Sequence, residues 1–117
     1  MILAGKLVEE CGEQGVVPGA MARCVEGKEE AFGKELEQVY TKALKLAGTN
    51  NTLLRENQRS WLKYQESTCK LHEVQIRHEG PPLGRVSGVS CLLRMTLERL
   101  SELRDFVTLL EAYGPIQ

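Results

Sequence analysis

No stretch of this chain is apolar for more than a few residues, so no segment is long enough to span a bilayer. Met1 to Gly5 is too short for the apolar centre of a signal peptide, and Glu9 and Glu10 follow soon after. Neither charge is in large surplus. The net charge is −1 with a pI near 6.1, which does not indicate a nucleic-acid-binding footprint. There is no C-x-x-C pair to suggest a zinc knuckle or a thioredoxin-like redox site. Also missing are G-x-S-x-G, H-E-x-x-H and a glycine-rich phosphate loop. No alternating pattern competes for a β-strand. These absences point away from an enzyme.

What is present is a chain of 117 residues, 42% apolar and 26% charged, which is globular in character and of ordinary size for one domain. Its charge is unevenly spread. Residues 1–40 hold eight acids and four bases, whereas residues 41–117 hold eight acids and eleven bases. Mixed, solvated helix faces account for this most simply.

Residues 1–18 read as an arm and a loop, with Gly12, Gly15 and Pro18 as breakers. From 19 to 47, Met21, Ala22, Val25, Phe32, Leu36, Val39, Tyr40, Ala43 and Ala47 recur every three or four residues, predicting an amphipathic helix. Gly27 and Gly33 weaken it by about 1 kcal/mol each relative to alanine. Gly48 to Asn51 breaks the chain. A second helix is expected over 53–78, with Leu54, Gln58, Trp61, Leu62, Gln65, Cys69, His72 and Ile76 on its inward stripe. Gly80-Pro81-Pro82-Leu83-Gly84 reads as a turn. A third helix is expected over 88–112, where Val89, Leu93, Thr96, Leu100, Leu103, Val107 and Leu110 alternate in steps of four and three. Short connectors between long helices force antiparallel neighbours. The expected fold is therefore all-α: a single domain over 1–117, an antiparallel up-down-up three-helix bundle with an amino-terminal arm.

Four cysteines are present: Cys11, Cys24, Cys69 and Cys91. Two disulfides would require an oxidising compartment; four buried thiols would suit a cytosolic protein. Disulfides are the preferred reading, and they imply a mature chain whose export signal has been removed. Cys24 lies off the core stripe of its helix and wants a partner from outside the bundle, for which Cys11 on the arm is the natural choice. Cys69 and Cys91 lie at similar distances before and after the Gly80–Gly84 turn, so a hairpin brings them to one height. Of the three possible connectivities, Cys11–Cys24 with Cys69–Cys91 is favoured. One tension stands, because Cys91 falls off the stripe of the third helix.

Cys69 and His72, three residues apart, could hold a metal or activate a thiol, but a bridged Cys69 can do neither. The acid pairs Glu9-Glu10 and Glu29-Glu30 sit on an arm and a helix that imply no cleft, so solvated surface is the expectation. Gln58 and Gln65 on an inward stripe are less ordinary. Their amides either satisfy groups inside the bundle or, with Trp61, line a groove for a partner; the first is expected, because buried amides must be paired.

The order of these features resembles the LprI-type lysozyme-inhibitor domain, a bacterial secreted or lipoprotein family. Its pattern has a cysteine, a second cysteine opening a helix, and then L-x-x-x-Y, matched here by Cys11, Cys24, Leu36 and Tyr40. Its Q-R-x-W-L-x-Y-R-D-x-x-C motif is matched by Gln58, Arg59, Trp61, Leu62, Tyr64 and Cys69. Its closing cysteine and T-x-x-R-x-x-x-L are matched by Cys91, Thr96, Arg99 and Leu103. Gln65-Glu66 stand where the family usually has Arg-Asp, and Glu37 where it often has asparagine. The resemblance implies an exported, disulfide-bonded, non-catalytic protein, periplasmic or secreted, without cofactor or metal, whose partner is a protein such as lysozyme. Animal-type lysozyme is basic with a carboxylate-lined cleft, so an inhibitor offers an acidic patch to its surface or inserts a basic side chain into the cleft; Glu26, Glu29, Glu30 and Glu37 are the candidate surface for the first mode, and Gln65 is the one further candidate, on the tryptophan motif. The alternative is an envelope-assembly domain acting through protein–protein contacts without inhibiting lysozyme.

Overall fold

Pro18 and Pro81 each open a long helix, occupying first-turn positions where a missing N–H leaves no hydrogen bond unmade. The structure, a computed structural model, describes residues 4–12 and 17–117. Helix α1 spans Ala4–Gly12, α2 Pro18–Ala47, α3 Thr52–Ile76 and α4 Pro81–Tyr113, with a 3-10 turn at Arg77–Glu79 between the last two. No strand occurs among the described residues.

Two expectations are corrected here. The arm is not irregular throughout, since Ala4–Gly12 is helical. Its Leu7 and Cys11 are buried against Val25 and Leu93, and tertiary packing thus supports a segment too short to be a stable helix alone. The loop expected before Pro18 falls largely on residues 13–16, which lie outside the described residues. The turn expected at 80–84 shrinks to Gly80, whose φ of +129° suits glycine. Helix α4 starts seven residues earlier than 88, because Pro81 and Pro82 tolerate the first turn while the N–H groups of Leu83 and Gly84 bond to the Gly80 carbonyl at 3.1 and 3.2 Å.

Helix α4 is the centre of the protein. It packs against α2 along one side and α3 along the other, while α2 and α3 share little contact with each other. Contacts between α2 and α4 advance together along the chain: Glu26 with Arg85, Glu29 with Thr96, Glu35 with Arg104 and Lys42 with Glu111. Those between α3 and α4 run in opposite order: Gln58 with Arg99, Gln65 with Thr96, Cys69 with Cys91 and the His72 carbonyl with Ser87. Past the end of α4, the Ile116 N–H bonds to the Ala47 carbonyl at 3.2 Å, tying the carboxy-terminal tail to the end of α2.

A helix held from two sides needs two buried stripes. Leu93, Leu100, Leu103, Val107 and Leu110 form the one read from the sequence, meeting Val25, Leu36, Ala43, Ala47 and Leu54. Each leucine so buried contributes roughly 1.5–3 kcal/mol. The second stripe, Gly84, Gly88, Cys91, Met95 and Arg99, faces α3. This removes the tension over Cys91, which is in mid-helix on the α3 side. Gly84 is needed there, since a Cβ would sit 2.9 Å from the Glu73 carbonyl oxygen and 3.1 Å from the Arg77 Cα.

Two disulfides staple the assembly. Cys11–Cys24 joins α1 to α2 with a Cα–Cα distance of 5.7 Å, and Cys69–Cys91 joins α3 to α4 at 5.4 Å. Lys28 adds a second tie to α1 through Glu10 at 2.9 Å, and its hydrogen bond and charge hold the Glu10 carboxyl below the usual carboxylate range.

Candidate functional site

The conspicuous polar residues of α3 point into the protein and meet α4 in two clusters. Gln58 is buried, and its Oε1 accepts from Arg99 Nε at 3.0 Å and Nη2 at 2.9 Å. Arg99 is itself 5% exposed. Its Nη2 also donates to Asn57 Oδ1 at 2.6 Å, its Nη1 pairs with Glu102, and its guanidinium carbon lies 5.6 Å from the centre of the half-buried Trp61 ring. A planar fork with donors on several edges is what such a site needs; a lysine could not serve it.

The second cluster crosses three helices. Gln65 Nε2 donates to the Leu92 carbonyl at 3.2 Å and to Thr96 Oγ1 at 3.0 Å, and the Thr96 hydroxyl donates to Glu29 Oε1 at 2.8 Å. Glu29 thus reaches inward from α2. Its Oε2 is buried with no partner among the described residues. Burial pushes its carboxyl above the usual range, against the lowering effect of the Thr96 hydrogen bond.

Glu29 therefore does not belong to an exposed acidic patch, which corrects the expectation for it. At 100° per residue Glu26, Glu30 and Glu37 fall within 40° of one another on α2, whereas Glu29 is turned about 60° from Glu26 and about 100° from Glu30, toward α4. Glu26 pairs with Arg85, Glu30 lies 3.7 Å from Lys34, and Glu37 is exposed. Gln65 is spent inside the protein. Leu62 and His72 are also exposed rather than inward, since the buried stripe of α3 narrows to Leu54, Gln58, Gln65 and Cys69. Leu36 and Leu103 are in the core and Tyr40 packs against it; Arg59 and Tyr64 are exposed. Every cysteine is bridged, so Cys69 offers neither a thiolate nor a metal ligand beside His72. Among the described residues, no group of three His, Cys, Asp or Glu could hold a metal ion.

A groove of about 820 Å³ lies between α3 and α4, with Leu62, Lys70, Arg85, Val89 and Leu92 among the residues that line it. Periodicity alone does not reveal it. Its one sequence signal is Leu62, which sits 40° round the helix from Gln58, at the edge of the inward stripe.

These features define an all-helical, doubly disulfide-bonded protein whose distinctive residues serve its interior, with no described helix long and apolar enough to cross a membrane. The model of one family, lysozyme inhibitor LprI, matches residues 11–103, from the first cysteine to the last leucine of the closing motif. The chain belongs to that family. No curated protein and no solved structure matches it.

Proposed function

We propose that this chain is a non-catalytic, exported binding protein of the bacterial envelope that inhibits lysozyme. The carrying observation is the family match over residues 11–103, which takes in both disulfides and the tryptophan motif. An oxidising compartment, periplasmic or extracellular, fits the bridged cysteines. In this reading the protein works as one domain: α2, α3 and α4 make an up-down-up bundle, α1 is its stapled arm, and no cofactor takes part.

The partner surface we assign is the exposed face of α2 bearing Glu30 and Glu37, bordered by Glu26, which is paired with Arg85 of α4. Carboxylates there would meet a basic lysozyme surface. Exposed charges of this kind speed encounter more than they tighten the complex. Gln65 supports that face indirectly, holding Thr96 and through it Glu29.

Titrating the protein into lysozyme acting on cell walls tests this reading. Slowing of lysis at stoichiometric or low micromolar protein is expected, and unchanged lysis at micromolar excess would reject it. The double charge reversal Glu30→Lys with Glu37→Lys should slow association and reduce its salt dependence. The second reading, an envelope-assembly domain that does not touch lysozyme, draws support from the exposed apolar side chains Leu53, Tyr64, Leu71 and Val74 of α3.

A further inference from the structure

A second hollow, of about 460 Å³, lies where the first two turns of α3 meet the carboxy-terminal half of α4 and the tail. Its walls are mainly aliphatic: Leu53 and Leu54 from α3, Leu103 and Phe106 from α4, and Ile116 from the tail. Ile116 is held there by its N–H bond to the Ala47 carbonyl. The polar groups on the lining are Asn57, Glu102 and the buried Arg99. Apolar walls with a few placed polar groups, in a space of about 300–1,000 Å³, are the usual make-up of a small-molecule site.

The bonding of Arg99 shows which of its edges borders this hollow. Nε and one N–H of Nη2 are spent on Gln58, which does not line it. The other N–H of Nη2 goes to Asn57 and one N–H of Nη1 goes to Glu102, both of which do. The Nη1–Nη2 end of the fork therefore faces the hollow, and a carboxylate grips that edge with two parallel hydrogen bonds. The second N–H of Nη1 has no acceptor among the described residues. Glu102 is the one carboxylate paired with Arg99 among them, and its side chain is 67% exposed. A buried guanidinium thus keeps its counter-charge on a side chain that stands largely in water. An incoming carboxylate can take that place and leave no buried charge unpaired, while Glu102 returns to solvent at small cost.

We propose that this hollow binds a medium-chain aliphatic carboxylate, with its head on the Nη1–Nη2 edge of Arg99 and its chain along Leu53, Leu103, Phe106 and Ile116. The same face of α4 gives the far end of such a chain more apolar surface. Phe106, Leu109 and Tyr113 all fall within 40° of Glu102 at 100° per residue, and Leu109 and Tyr113 are exposed. The inference stands apart from lysozyme inhibition, and a lysozyme assay without effect would leave it intact.

Isothermal titration calorimetry with sodium decanoate, below the concentration at which it forms micelles, provides the test. Saturable one-site binding is expected, with a change in the fluorescence of Trp61, whose ring lies 5.6 Å from the Arg99 guanidinium carbon. Octanoate should bind about fifteenfold more weakly, at about fourfold for each methylene lost. Methyl decanoate, of the same shape but uncharged, should bind at least about tenfold more weakly. Two substitutions at exposed positions leave the fold intact, as circular dichroism will report. Glu102→Gln removes the competing carboxylate and should tighten decanoate about threefold or more, whereas Leu53→Asp puts a charge on the apolar wall and should weaken it about tenfold or more. No binding at millimolar decanoate, equal binding of the methyl ester, or a site indifferent to Leu53→Asp overturns the proposal. So does weaker binding by Glu102→Gln, since Glu102 would then be a ligand contact and not a competitor. If decanoate fails to bind and Leu53→Asp abolishes lysozyme inhibition, the proposal falls and the hollow belongs to the protein partner.

Discussion

The Arg99 guanidinium lies 5.6 Å from the centre of the Trp61 ring while two of its nitrogens bond to Gln58 Oε1 at 3.0 and 2.9 Å. Two motif residues one turn apart on α3 thus hold a single buried cation on α4. Arg99→Ala should destabilise the fold by about 2–4 kcal/mol, through lost hydrogen bonds, lost packing and an unpaired Gln58. Arg99→Lys should recover only part of this, because one ammonium cannot both stack on Trp61 and serve Gln58 and Asn57. Urea denaturation, with Trp61 fluorescence as the probe, measures both.

Glu29 introduces a pH dependence. Its folded carboxyl binds a proton more readily than an unfolded glutamate, because burial raises it. Between the ordinary carboxylate range and this raised value the folded state holds more protons, so this group's contribution to stability falls as pH rises through that window. Glu29→Gln removes the titration. The variant should show a flatter dependence of melting temperature on pH from 4 to 7 and should melt higher than the parent at neutral pH. Melting curves at several pH values check this.

The two disulfides differ in access. Cys24 is exposed, whereas Cys69 and Cys91 are 3% and 4% exposed. Under a native-state pulse of dithiothreitol followed by alkylation, label should reach Cys11 and Cys24 first, as peptide mass spectrometry will report. Replacing Cys69 and Cys91 together by serine should cost about 3 kcal/mol on the loop-entropy model for a separation of 22 residues.

Glycines separate close packing from open helix surface. Gly84→Ala would drive a methyl group into the backbone of the Glu73–Arg77 segment and should destabilise by about 1–3 kcal/mol. Gly27→Ala and Gly33→Ala meet nothing within 4 Å and should stabilise α2 by about 0.5–1 kcal/mol each. Thermal denaturation of the three variants distinguishes the two outcomes.

Much of the helical architecture is legible in the chain. Apolar residues repeat every three or four positions over three long segments, and Gly48 and Gly80 mark the breaks, both at positive φ. Helix α1 is hard to read because nine residues with glycines near both ends have little intrinsic helicity; packing on Val25 and Leu93 decides it. The early start of α4 is equally hidden, because a proline pair reads as a breaker unless it stands at the first turn.

Of the candidate site, residue types are legible and directions are not. Gln58 and Gln65 announce themselves as polar residues on an inward stripe. Their partners Arg99 and Thr96 lie on a helix some thirty to forty residues away, and only the α3–α4 register brings them together. Glu29 and Glu30 are adjacent acids in the sequence. One turns inward to Thr96 and the other stays in water, a difference of 100° on one helix that matters only because α4 stands on that side. The sequence by itself determined the three long helices, the family and the even set of cysteines, because periodicity, breakers and motif order are local properties. Only the tertiary structure decided that α4 is the shared centre with two buried stripes and that the motif residues build an interior network. Those depend on which surfaces of separate helices meet, and no local pattern encodes that.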